Sequence, residues 1–100
     1  MTGVQTCALP IWPDKFINSD LEKTLKDKGI KTVVAMGTQA QTSVLHTGAT
    51  AALKGFKVLV PVDGMSGDTV FTELYTAWHL ATAARISANV TLTRFDMIGF

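Results

Sequence analysis

The chain has 100 residues, 47% of them hydrophobic and 17% charged, and a formal net charge of +1. Its pattern holds no apolar run near the ~18 residues that cross a bilayer, which argues against a membrane span, and no basic cluster of the kind that binds nucleic acid. The length suits one small domain, and so apolar a composition predicts surface meant to lie against further sheet or helix.

Residues 1–12 read as a non-native tail, because Met1 to Ile11 resembles the in-frame translation of a common short-read sequencing adapter started at GTG. The tail shows neither a basic n-region followed by an apolar stretch nor a clear period, so it is not a signal peptide. Setting it aside removes Cys7, the single cysteine, from every chemical argument. A lone cysteine forms no internal disulfide, which fits a reducing cytoplasm. The domain is then expected over residues 13–100.

From Trp12 onward helix and strand signals alternate. Ser19-Asp20-Leu21-Glu22 has the form of a capping box, with Phe16 or Ile17 placed as a hydrophobic staple. Leu21 and Leu25 share a face and Gly29 supplies a left-handed stop, which predicts a helix from about Asp20 to Lys28, with Lys23, Lys26, Asp27 and Lys28 on a solvated face. Thr32 to Met36 is a continuous β-branched and apolar run, expected as a strand buried on both faces. A helix from about Gln41 to Lys54 follows, ended by Gly55. Its small residues Ser43, Thr47, Gly48, Ala49, Ala51 and Ala52 predict close packing on a sheet.

Lys57 to Val62 is a second buried-type strand, with Pro61 placed at its end or at a bulge because proline donates no ladder bond. After the loop Asp63 to Gly67, Asp68 or Thr69 can cap a third helix. Val70, Phe71, Leu74, Tyr75, Trp78 and Ala81 recur at helical steps and are expected to pack into the core, although Tyr75 and Trp78 also suit a subunit contact. Val90 to Thr93 alternates and is expected at a sheet edge. The order predicts an α/β fold: a partial doubly wound parallel sheet of three strands alternating with three helices. Three strands are few for that class, so one edge of the sheet should lack its neighbours.

Sites in open parallel sheets form beyond the carboxyl ends of the strands. Two turns qualify, Gly37 to Ser43 and Asp63 to Ser66. The first runs straight into a helix, where free amides and the positive end of the helix dipole favour an anion or the oxyanion of acyl transfer. There is no GxGxxG and no phosphate-loop lysine, so a nucleotide site is disfavoured. Ser43 stands at this helix start, where serine is also a common structural residue. Gln41, His46 and Asp63 are pocket candidates, although Asp63 equally suits a loop cap. His46 and His79 lie far apart with no third ligand, so no metal and no other cofactor is expected.

Gly37-Thr38-Gln39-Ala40-Gln41-Thr42-Ser43-Val44-Leu45-His46-Thr47-Gly48 resembles the isochorismatase-like (cysteine hydrolase) pattern G-x-A-T-x-x-C-V-x-x-T-A. Lys57 to Ser66 is similar to the strand that follows it in that family, and Asp14 to Leu21 to the segment before its helix. The similarity runs from residue 13 to about 95. It implies that the chain is the C-terminal half of an isochorismatase-like domain, with Ser43 where the family carries its nucleophilic cysteine. It also implies a cis peptide between Thr38 and Gln39, with the amides of Gln39 and Ser43 as oxyanion donors. The family's aspartate would lie in an N-terminal half this chain lacks, and its lysine would fall near Pro10, inside the tail; Lys15 is too close to Phe16 to be that lysine.

A thiol there ionises readily, whereas a serine hydroxyl needs a paired base; none is identifiable near Ser43, although His46, three residues on and on the same helix face, could contact a ligand or serve as base. Two functions follow as expectations. One is a fragment of a hydrolase acting on an amide or ether-type bond of a small metabolite, homo-oligomeric as the whole protein and inactive as this chain. The other is a non-catalytic family member that binds a ligand or makes oligomer contacts.

Overall fold

The structure is a computed structural model that describes residues 13–99. The expectations for the tail, for Cys7 and for the lysine position near Pro10 fall outside those residues. The elements are helix α1 (Leu21–Asp27), strands β1 (Thr32–Val34) and β2 (Gly37–Thr38), helix α2 (Leu45–Leu53), strands β3 (Lys57–Pro61) and β4 (Met65–Ser66), helix α3 (Val70–Thr82) and strand β5 (Val90–Thr93). The strands β1, β3 and β5 form a parallel sheet in the order β1-β3-β5, and β2 pairs with β4 in a second, two-stranded parallel ladder.

The helices α1 and α2 end as their glycines predict. Gly29 and Gly55 have φ of 72° and 96°. In each case the glycine N–H bonds the carbonyl three residues back and the next N–H the carbonyl five back: Gly29 to Lys26 and Ile30 to Leu25, then Gly55 to Ala52 and Phe56 to Ala51. These are Schellman stops, which a Cβ would strain.

The start of α1 departs from expectation. Asp20 is the N-cap and makes no side-chain cap bond. The Ser19 hydroxyl instead donates to the Lys15 carbonyl at 2.7 Å. Glu22 is drawn away to Lys54 at 2.8 Å and Lys26 at 3.0 Å. A carboxylate offered two ammonium groups gains more than it does from one amide, so the capping box does not form. Phe16 leaves the staple position as well and stacks on Phe56 with centroids 6.2 Å apart, while Ile17 stays exposed.

Sheet register explains the core. Val33, Val58 and Val90 lie in one row, and Val60 lies beside Leu92 in another. These side chains, with Ala35, pack against Ala51, Ala52, Val44 and Leu80. The alternate row Val34–Leu59–Thr91 has no place in that cluster. The described helices therefore cover one face of the sheet, half of a doubly wound arrangement.

Position in the sheet also corrects the reading of the first strand. It pairs with β3 alone among the described residues, so Thr32 is exposed and Val33 and Val34 are half-buried. A β-branched apolar run suits burial on both faces, but an edge place leaves one flank open. The strand β5 is at the opposite edge, as its alternation predicts.

The small residues of α2 do what small residues allow. Gly48, Ala51 and Ala52 are buried, and a Cβ on Gly48 would sit 3.7 Å from the Ala35 Cβ and 3.8 Å from Leu80 Cδ1. Thr69 caps α3 in a reciprocal box with Thr72, each taking the other's N–H at 3.3 Å. The expected core face of α3 is corrected. The helix buries Thr76 and Leu80, whereas Val70, Phe71, Leu74, Tyr75 and Trp78 lie in solvent. Helical spacing reveals an apolar stripe but not what covers it.

Candidate functional site

The site is built at the carboxyl end of the sheet from two turns. After β1, Ala35 still donates to the Leu59 carbonyl at 3.0 Å, so the run to Met36 stays against β3. The chain then passes through β2 and a cis Thr38–Gln39 peptide, at the bond where the resemblance places one. It enters a π-helical turn, Ala40–Val44, which runs straight into α2. The expected helix thus begins with a wide turn in which the Gln39 carbonyl takes the N–H groups of both Thr42 and Val44, at 3.2 and 3.3 Å.

The second turn is tied to the first. Gly37 pairs with Met65 and Thr38 with Ser66. The Gln39 side-chain amide donates to Asp68 Oδ1 at 2.7 Å, and the Gly67 N–H donates to Glu73 Oε2 at 3.1 Å. A Cβ on Gly67 would stand 2.2 Å from Thr72 Oγ1 and 2.9 Å from Gln41 Oε1, so glycine is what lets the turns close on each other.

Ser43 is half-buried in the π-helical turn and lines a groove of about 590 Å³. The groove runs along β1 and is otherwise walled mainly by apolar side chains, among them Phe16, Leu21, Leu25, Val34 and Met36, with Thr32, Thr47 and Lys15 as further polar members. The hydroxyl of Ser43 has no hydrogen bond to any described residue. No histidine, aspartate or glutamate lines the groove beside it, and a serine hydroxyl needs a paired base to become a nucleophile.

The remaining candidates do not converge on Ser43. Thr38 is exposed, and Gln39 faces Asp68. Gln41 turns toward Gly67, with its Oε1 buried and without a hydrogen-bond partner among the described residues. His46 is exposed on α2. Asp63 is exposed and accepts the Phe95 N–H at 2.8 Å, acting as the loop cap that its strand-end place equally suits. Of the six, only Ser43 lines the groove. Among the described residues no group of three or more His, Cys, Asp or Glu could hold a metal ion, and no helix is long and apolar enough to cross a membrane.

Two features were not legible in the sequence. Lys15 reaches the same groove as Ser43 because its segment is pinned to α2: its N–H donates to Thr47 Oγ1 at 3.1 Å, and Asp14, which is buried, accepts from the Thr50 hydroxyl. Asp68 holds the Gln39 side chain across 29 positions, and no local pattern announces such a pair.

A parallel α/β sheet with a serine at a helix start beyond its strands puts the candidate site where open sheets of this class bind ligands. The isochorismatase domain family matches residues 12–94, and the chain belongs to that family. An isochorismatase-like hydrolase from Alkaliphilus metalliredigens is similar at 27% identity and a TM-score of 0.73, over 84% of this chain and 44% of its own. N-carbamoylsarcosine amidase from Thermoplasma acidophilum shares 25% identity at a TM-score of 0.72, over 89% and 47%. Nicotinamidase from Bacillus subtilis, at 22% identity, shares the fold with a TM-score of 0.70 over 74% and 41%. The chain spans less than half the length of each of these three proteins. No curated protein matches it.

Proposed function

We propose that the whole protein hydrolyses an amide C–N or ether-type bond of a small metabolite. In this reading position 43 carries the attacking atom, and the backbone amides of Gln39 and Ser43 receive the oxyanion. It works in the cytoplasm as a homo-oligomer, without nucleic acid or membrane as partner. The observation that carries the proposal is the placement of Ser43, half-buried at the start of a helix that leaves the sheet directly and open to a groove. Family membership and the amidases among its structural neighbours support the reaction class.

The 100-residue chain by itself is inactive in this reading, since the Ser43 hydroxyl has no described partner to take its proton. That same isolation favours a second reading, in which the protein keeps the fold to bind a ligand or another subunit.

Ammonia release from nicotinamide and from N-carbamoylsarcosine separates the two. The chain alone is expected to release none, and hydrolysis by it would contradict its inactivity. In the parent protein extended upstream, Ser43→Ala is expected to lower the rate by about 100-fold or more, the scale of losing a catalytic group. Equal rates would remove Ser43 from the mechanism.

A further inference from the structure

The two turns of the candidate site are tied together by a pair of side chains outside the groove, Gln39 and Asp68. Gln39 precedes the π-helical turn that carries Ser43, with extended backbone angles, and its side chain makes no cap bond there. That side chain reaches the other way, and its amide donates to Asp68 Oδ1 at 2.7 Å. The Gln39 carbonyl accepts the N–H groups of Thr42 and Val44, the two neighbours of Ser43, at 3.2 and 3.3 Å. Gln39 is therefore gripped by Asp68 through its side chain and grips both flanks of Ser43 through its carbonyl.

The start of α3 fixes Asp68 in its turn. The Gly67 N–H before it donates to Glu73 Oε2 at 3.1 Å, and Thr69 after it is locked into the reciprocal box with Thr72. A Cβ on Gly67 finds no room beside Thr72 and Gln41, so this turn sits tightly on the helix. The helix α3 packs in addition against the π-helical turn itself. The ladder that pairs Gly37 with Met65 and Thr38 with Ser66 ends one residue before Gln39. Beyond it, the Gln39–Asp68 bond carries the connection forward.

We infer that Asp68 is a positioning residue, which fixes Ser43 for its attack by acting through Gln39. The inference deepens the hydrolase reading given above and rests on it. A carboxylate holds an amide more firmly than a neutral acceptor does. A displacement of about 1 Å at a reacting atom can cost as much as ~100-fold in rate. Asp68 is exposed and does not line the groove, so its effect falls on kcat and not on KM.

Amide hydrogen exchange on the full chain tests the positioning. Asp68→Ala and Gln39→Ala should each speed exchange at Thr42 and Val44 by about 10-fold, while the buried strand residues Val58 and Val60 keep their rates. Asp68→Asn retains an acceptor oxygen and should stay close to the wild-type rates. Unchanged exchange at Thr42 and Val44 overturns the inference. Kinetics of the parent protein extended upstream, read as ammonia release, then separate positioning from mere structure. Asp68→Ala should lower kcat by about 10-fold with KM within about 2-fold, and Asp68→Asn should recover most of the loss. Removing both partners should cost no more than removing one, because the same bond is lost. An active parent whose kcat ignores Asp68→Ala overturns the inference and leaves the hydrolase reading standing. A wild-type parent that hydrolyses neither nicotinamide nor N-carbamoylsarcosine counts against the hydrolase reading, while the exchange rates still decide whether Asp68 fixes Ser43.

Discussion

The helices α2 and α3 cross the same face of the same sheet, yet they use it in opposite ways. The first is made of small residues and is closed: Gly48, Ala51 and Ala52 are buried and the helix lies close to Ala35 and Leu80. The second carries the larger side chains and buries few of them, Thr76 and Leu80, while its aromatic residues face away from the core. Side-chain size therefore does not rank burial here. Small residues mark where two backbones must approach, and large apolar ones mark only that some surface must eventually cover them.

That contrast breaks if the two helices tolerate bulk alike. Ala51→Leu adds three carbons where exposure is 0% and should cost about 3 kcal/mol. Leu74→Gln, on the open face of α3, should change the stability of the dilute chain by less than about 0.5 kcal/mol. Urea denaturation of both variants checks the pair, and similar losses would mean that the two faces are equally packed.

A smaller effect sharpens the account of α2, because its two glycines serve different ends. Gly48→Ala places its Cβ at ordinary contact distance and should stabilise the helix by about 0.5–1 kcal/mol. Gly55→Ala puts a side chain on a φ of 96° and should destabilise by about 1 kcal/mol. Thermal melting reads the two signs, and the same sign for both would contradict the Schellman stop at Gly55.

The smallest effect joins α1 to α2. The hydrogen bond from Lys54, then that from Lys26, holds the Glu22 carboxyl below its ordinary value of 4.5. A folded-state pKa below the unfolded one stabilises above the unfolded value and loses that contribution as pH falls through the folded value. The chain should therefore soften slightly as pH drops below 4.5, and Glu22→Gln should soften less over the same interval. Because Glu22 is in solvent, salt should shrink the difference. Melting curves across that acid range decide it, and parallel curves for the two proteins would remove the bridge from the account.

How much of this is legible in the sequence depends on whether its cause is local. The stops at Gly29 and Gly55 and the Thr69 cap depend on groups within a few positions of each other, and each was readable. The Ser19–Glu22 box was equally local in form, yet it lost to Lys54, which comes 32 positions after Glu22 and enters only when α2 folds against α1. The placement of Ser43 at a helix start beside a groove followed from strand, turn and helix in order. That Gln41, His46 and Asp63 face elsewhere did not, because spacing fixes which residues share an element and not which cavity each side chain enters.

The sequence by itself determined the alternation of helix and strand, the parallel α/β class, the family resemblance and the serine at the helix start, all of which rest on short-range periodicity and backbone chemistry. Only the tertiary structure decided which strand stands at the open edge, which face of α3 meets the sheet, and which lysine claims Glu22. Those outcomes arise from contacts between distant segments, where burial and charge compete across the whole domain.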